Sequence, residues 1–264
     1  MIDRLVYDFG RIIGEAFGDS GRLYRSLPND GWNGPTSCAK WTMHDLAGHT
    51  VGEAVWFARV VRGVTKGMRP LDDSVWDALK QLPGEVIADT LIGAADDLEF
   101  AIEGAETEHL PRQVDLGWKQ MPLWRALHIA VSEAVYYNWD AHVGLDPRAT
   151  IRTSWAKQVA TFAADVAPNL ARWDRARDAA GTYLLEVGND VGPVTVTASE
   201  GTVDVERRAA LQPDLTLRLT ADQYVRLFAE RLPLDSAVAN GEVQVAGDRG
   251  RADRLNQLFP GIGN

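Results

Sequence analysis

The sequence predicts an α+β protein: an all-helical first part followed by a smaller part that mixes strands and helices. Two observations carry this. Apolar residues recur at three-to-four spacing through the first two-thirds of the chain, and from Gly181 the pattern changes to short alternating runs rich in Val, Thr and Leu. A third is the length of 264 residues, enough for two domains. The boundary is expected near residues 172–180, giving domains of 1–172 and 173–264.

Residues 2–27 read as a helix, with Leu5, Phe9, Ile12, Ile13, Ala16 and Phe17 on one face. The Gly, Pro, Asn and Ser of segment 28–40 predict a loop. A second helix is expected over 43–62, stopping at Gly63. Thr42 is its N-cap, and Asp45 three residues later has capping-box spacing. A third helix should span 83–103, with Pro83 in its first turn. A turn-rich connection through Leu110-Pro111 to Gly117 precedes a fourth helix over 122–143, and a fifth over 154–166 ends before Pro168. Strands are expected at Tyr183–Val187, Val194–Thr197, Thr202–Val205, Leu215–Leu219 and Glu242–Val245. Helices are expected at 221–229 and 251–258.

The net charge of −10 argues against general nucleic-acid binding, which needs a basic face. Of 27 basic residues only five are Lys, and Arg suits bidentate anion binding. The single Cys, Cys38, rules out an intrachain disulfide framework and fits a cytoplasmic location. The N-terminus does not read as a signal peptide, and no apolar run approaches the roughly 18 residues of a membrane span. The expected partner is a small molecule, with no nucleic acid and no membrane, for a monomer or homodimer.

The residues that carry chemistry lie on the second and fourth helices. His49 and Glu53 are four apart and stack on one face. At 100° per residue, Glu133, Tyr137 and Asp140 fall within about 60° of one another, whereas His128 and His142 lie near the opposite face. Inward-facing residues on different helices build the metal sites of helical bundles, and one His with carboxylates suits zinc or another divalent metal. The same residues equally make an ordinary buried hydrogen-bonded pair. The tryptophans at 32, 41, 56, 118, 124 and 139 read as core and interface.

Trp32, Pro35, Cys38, the run Trp41-Thr42 through Asp45-Leu46 to His49, Glu53, and Glu133 with Trp139-Asp140 resemble the DinB-like four-helix bundle of mycothiol-dependent maleylpyruvate isomerases. Asp214-Leu215-Thr216-Leu217, the helix to Phe228, and Asn240-Gly241-Glu242 to Gly247-Asp248 resemble the small sterol-carrier-like α+β domain that follows it. The resemblance implies a divalent metal, usually zinc, on a His of the second helix and a Glu-x3-His pair of the fourth. His49 and Glu133 match the first two ligands, and Tyr137 stands at the third. Tyr137 then ligates or takes a catalytic role, Glu53 or Asp140 substitutes, or the site has lost its metal. The resemblance also implies an Arg of the second domain that binds an acidic group of the thiol or substrate, and Arg231 is its match, in a catalytic and cofactor-binding role. The implied activity is that of an isomerase or S-transferase acting on a small electrophile, using mycothiol or another low-molecular-weight thiol. The alternative is a non-catalytic binding protein for an apolar molecule.

Overall fold

The computed structural model describes residues 2–38, 40–64, 78–105, 107–117 and 119–259. It divides into two compact units, Met1–Thr150 and Ile151–Asn264. Among the described residues, no helix is long and apolar enough to cross a membrane.

Among the described residues, the first unit is built on four long helices: α1 (Ile2–Arg25), α2 (Met43–Arg62), α3 (Gly84–Glu103) and α4 (Leu123–Leu145). Both α1 and α2 pack against α3 and α4. Phe9, Ile12, Ile13 and Phe17 of α1 are fully buried, as are Leu46 and Val51 of α2, Leu91 and Leu98 of α3, and Leu127, Ala130 and Ala134 of α4. These are the stripes that the three-to-four spacing predicts. Between α3 and α4 lies a small antiparallel hairpin, β1 (Gln113–Asp115) and β2 (Gln120–Pro122), which is too short to show in sequence periodicity. Trp118 falls outside the described residues.

Helix α2 starts as its sequence predicts. The Thr42 hydroxyl accepts from the Asp45 backbone N–H at 3.2 Å, and the Asp45 carboxylate accepts from the Thr42 N–H at 3.0 Å. Burial alone would raise the Asp45 pKa. The Thr42 hydrogen bonds, helped by Lys80 and His44, outweigh it and hold the carboxyl below its usual range. At the other end Gly63 takes a left-handed conformation, φ 72°, and closes the helix. This reciprocal cap sets where α2 begins, and so places His49 two turns in.

The second unit opens with α5 (Thr153–Leu170), which packs against strand β5 and helix α7 of the same unit. The sequence places the end of this helix at residue 166. It instead runs on through Pro168. A proline inside a helix removes one backbone donor, and the buried Phe162, Val166 and Ala167 hold the last turns in place.

Five strands form one sheet in the order β5-β4-β3-β6-β7. They are β3 (Gly181–Val187), β4 (Gly192–Ser199), β5 (Thr202–Glu206), β6 (Leu215–Leu219) and β7 (Gln244–Gly247). Only the β3–β6 pair is parallel. One turn of helix, α6 (Gly188–Val191), links β3 to β4, and α7 (Ala221–Phe228) follows β6. Leu215, Leu217 and Leu219 point inward while Arg218 is exposed, as period-two alternation requires. The last strand starts two residues later than expected. A short helix, α8 (Leu234–Ala239), precedes it, and the N–H groups of Glu242 and Val243 are spent on the Ala237 carbonyl at 2.8 and 3.1 Å. Helix α9 (Ala252–Leu258) closes the unit. Its interior is filled by Tyr183, Tyr224 and Phe259, and the half-buried Phe228 lies edge-on to both Tyr224 and Phe259.

Candidate functional site

Helices α2 and α4 pack side by side and bring four polar side chains together inside the first unit. His49 Nε2 lies 2.9 Å from the Tyr137 hydroxyl and 3.8 Å from Glu53 Oε1. The Glu53 and Glu133 side chains hydrogen-bond to each other. Tyr137 and Glu133 are buried, at 2% and 7% exposure, and His49 and Glu53 keep a narrow exposed edge. The two i,i+4 pairs thus face one another across the helix–helix contact, as the spacing within each helix predicts.

The electrostatics follow from burial. Burial, reinforced by the positive charge of Lys80, lowers the His49 pKa from 6.5 to about 4, so its imidazole is neutral near pH 7. A neutral imidazole carries one N–H and one lone pair. Its Nε2 either accepts from the Tyr137 O–H or donates to the phenol oxygen. Burial raises the Glu53 pKa, and the hydrogen bond from Glu133 offsets only part of that. Two carboxyl groups in hydrogen-bond contact must share a proton, because two carboxylates offer only acceptors. The cluster is therefore a neutral imidazole, a phenol and an acid pair that holds one proton.

Trp41 and Lys80 belong to this surrounding, and sequence reasoning missed both as site residues. The Trp41 ring lies over His49 at 4.6 Å between centroids, and Tyr137 meets the same imidazole edge-on at 5.0 Å. Trp41 stands immediately before the helix cap and in the run that carries the family resemblance, but neither gives it a role at the site. Lys80 follows a segment outside the described residues and carried no motif.

The other candidates sit elsewhere. Asp140 is fully buried, and its carboxylate accepts from the Ser37 hydroxyl and lies 3.6 Å from the Cys38 thiol. Seven residues beyond Glu133, it stands about 10 Å further along the helix axis. His142 binds Asp19 at 2.9 Å, which also accepts from Asn138, so this face of α4 is tied to α1. His128 packs against Phe9 and Trp124. In the second unit Arg231 is buried, and its Nη1 donates to the Ala229 carbonyl at 2.9 Å. It follows Glu230, a non-glycine residue at φ 54°.

The expected zinc does not fit these residues. A tetrahedral site needs three protein ligands with free lone pairs about 2 Å from the metal. Here His49 Nε2 is turned onto the Tyr137 hydroxyl. Among the described residues no group of three or more His, Cys, Asp or Glu side chains is placed to hold an ion. His49, Glu53, Glu133 and Tyr137 come together as a hydrogen-bonded cluster, and Asp140 is engaged apart from it.

The second unit has a separate cleft of about 760 Å³, lined by Glu186, Arg218, Thr220, Gln223 and Gln244 among others. Arg218 donates to Glu186 on the adjacent strand at 2.7 Å, beside the apolar Val187, Pro193, Ala209 and Leu219 of the same wall.

A helical bundle with a buried polar cluster between two of its helices, joined to a five-stranded α+β unit, defines a protein of two distinct domains. Comparison with known families names both. Residues 13–142 match the mycothiol maleylpyruvate isomerase N-terminal domain, and residues 164–260 match the SCP-2 sterol transfer family. Each unit thus matches one of the two family models. A crystal structure of the mycothiol-dependent maleylpyruvate isomerase shares the fold, at 12% identity and a TM-score of 0.60, over 86% of this chain and 90% of that one. Sterol Carrier Protein 2 Like 2 from Aedes aegypti aligns with 39% of this chain and 96% of its own, at 17% identity and a TM-score of 0.30. A search of curated proteins finds no significant match.

Proposed function

We propose that this protein is a thiol-dependent isomerase or S-transferase whose chemistry takes place at the His49, Glu53, Glu133 and Tyr137 cluster. The observation that carries the reading is the buried Glu53–Glu133 acid pair beside a neutral imidazole, in a domain of the maleylpyruvate isomerase family. A low-molecular-weight thiol such as mycothiol, when bound, supplies a sulfur nucleophile that adds to an electrophilic carbon. The cluster fits such a group, because the acid pair offers a buried proton acceptor and the Trp41 ring an apolar wall.

The residues then have separate tasks. The acid pair takes the S–H proton onto a carboxylate oxygen, and burial, by raising the Glu53 pKa, makes it a stronger base than an exposed carboxylate. A bound thiol would supply reversible addition to a double bond conjugated to a carbonyl for an isomerase, or a stable adduct for an S-transferase, and the acid pair would hold the S–H proton and return it to sulfur or pass it to the substrate. His49 Nε2 and the Tyr137 hydroxyl, 2.9 Å apart, line the site beside the acid pair.

The test is turnover of maleylpyruvate by the full chain with and without mycothiol, followed by ultraviolet absorbance. Isomerisation should require the thiol, and Glu133→Gln should lower kcat/KM by about 100-fold or more. Absence of thiol-dependent turnover of maleylpyruvate or of any S-adduct with other small electrophiles contradicts the assignment.

A further inference from the structure

We propose that Tyr137 makes this a metal-free site: its phenol fills the position from which a third ligand would complete a metal site with His49 and Glu133, and it closes the His49 nitrogen by a hydrogen bond. The inference rests on reading this cluster as the functional site, but its test does not depend on activity.

The argument is geometric. Glu133 and Tyr137 are one turn apart on α4, and the Tyr137 hydroxyl is 2.9 Å from the one imidazole nitrogen that faces the cluster. A neutral phenol is a poor ligand, with a pKa of about 10, whereas a second imidazole at this position would supply a lone pair at neutral pH. One imidazole whose facing nitrogen is turned onto a phenol falls short of the nitrogen set that zinc selects. His49 Nε2 and the Tyr137 hydroxyl satisfy each other without an ion, and this matters because unpaired buried polar atoms are costly. Replacing Tyr137 by His would convert the cluster to two imidazoles and at least one carboxylate, a donor set found in catalytic zinc sites.

The experiment measures zinc on purified full-length protein by elemental analysis after dialysis, and by competition with a chromophoric chelator. The variants are His49→Ala, Tyr137→His and the double variant, with circular dichroism and thermal melting as checks of folding. The wild type should retain no stoichiometric zinc and compete no better than His49→Ala. Tyr137→His should bind one equivalent at least about 100-fold more tightly than wild type, and His49→Ala should abolish the gain. One equivalent of zinc on the wild type, lost in His49→Ala, overturns the proposal. A folded Tyr137→His protein that binds no zinc also overturns it, since the phenol would then not be what excludes the metal. If that variant fails to fold, the wild type against His49→Ala decides alone: equal affinities support the proposal, and a wild-type advantage of about 10-fold or more refutes it. A metal-free wild type that isomerises without any thiol would leave this inference standing and remove the functional assignment.

Discussion

His49 should make the first unit less stable in acid by an amount that the structure sets. Its pKa falls from 6.5 in the unfolded chain to about 4 in the fold, mainly through burial and then through Lys80. A group with a lowered folded pKa contributes stability that is fully present above the unfolded value and is lost as pH falls through the folded one. The interval corresponds to about 3 kcal/mol in all, of which about 2 kcal/mol falls between pH of about 7.5 and about 5. For a unit of this size that is a loss of about 4–8 °C in melting temperature. The assay compares wild type with His49→Gln, which keeps a hydrogen-bonding group toward Tyr137 but does not titrate. Wild-type melting temperature should fall relative to the variant by that amount across the window, with groups common to both proteins cancelling. Parallel curves for the two proteins, or an imidazole NMR titration of His49 centred near 6.5, would refute the reasoning.

Three further outcomes follow from particular contacts. Thr42→Ala removes the hydroxyl that accepts from Asp45 N–H and should destabilise the first unit by about 1 kcal/mol, read as a lower urea midpoint with an unchanged slope. Glu53→Gln can still donate to Glu133 but cannot ionise. Because burial raises the Glu53 pKa above 4.5, wild-type stability should fall relative to this variant as pH rises, so the variant should melt higher at pH of about 8 and alike at pH of about 4. Gly144→Ala places a methyl group against the Pro35 carbonyl and the Met43 side chain, so it should cost about 1–3 kcal/mol, measured by chemical denaturation.

Much of the fold was legible because burial writes itself into periodicity. The stripe from Phe9 to Phe17 and the alternation of Leu215, Leu217 and Leu219 are the buried faces themselves. The Thr42–Asp45 box is local chemistry, so its spacing marked where α2 begins. Contributions from distant parts of the chain were not legible. Helix α5 passes Pro168 because of what its apolar face packs against, and β7 starts late because Glu242 and Val243 first close α8. The site divides in the same way. The i,i+4 spacing showed that His49 stacks with Glu53, and Glu133 with Tyr137. It did not show that His49 would pair across the contact with Tyr137, leaving Glu53 to Glu133. Asp140 shares their face by angle, but the loop bearing Ser37 and Cys38 reaches it first.

The account's central claim is that these four side chains form a thiol-binding acid–base site, and calorimetric titration of metal-free full-length protein with mycothiol tests it most directly. The account predicts saturable binding to the wild type with the S–H proton kept on the acid pair, so that the heat does not depend on the buffer, and weaker binding in Glu53→Gln/Glu133→Gln. Equal affinity in the double variant, or no binding at millimolar thiol, would contradict it.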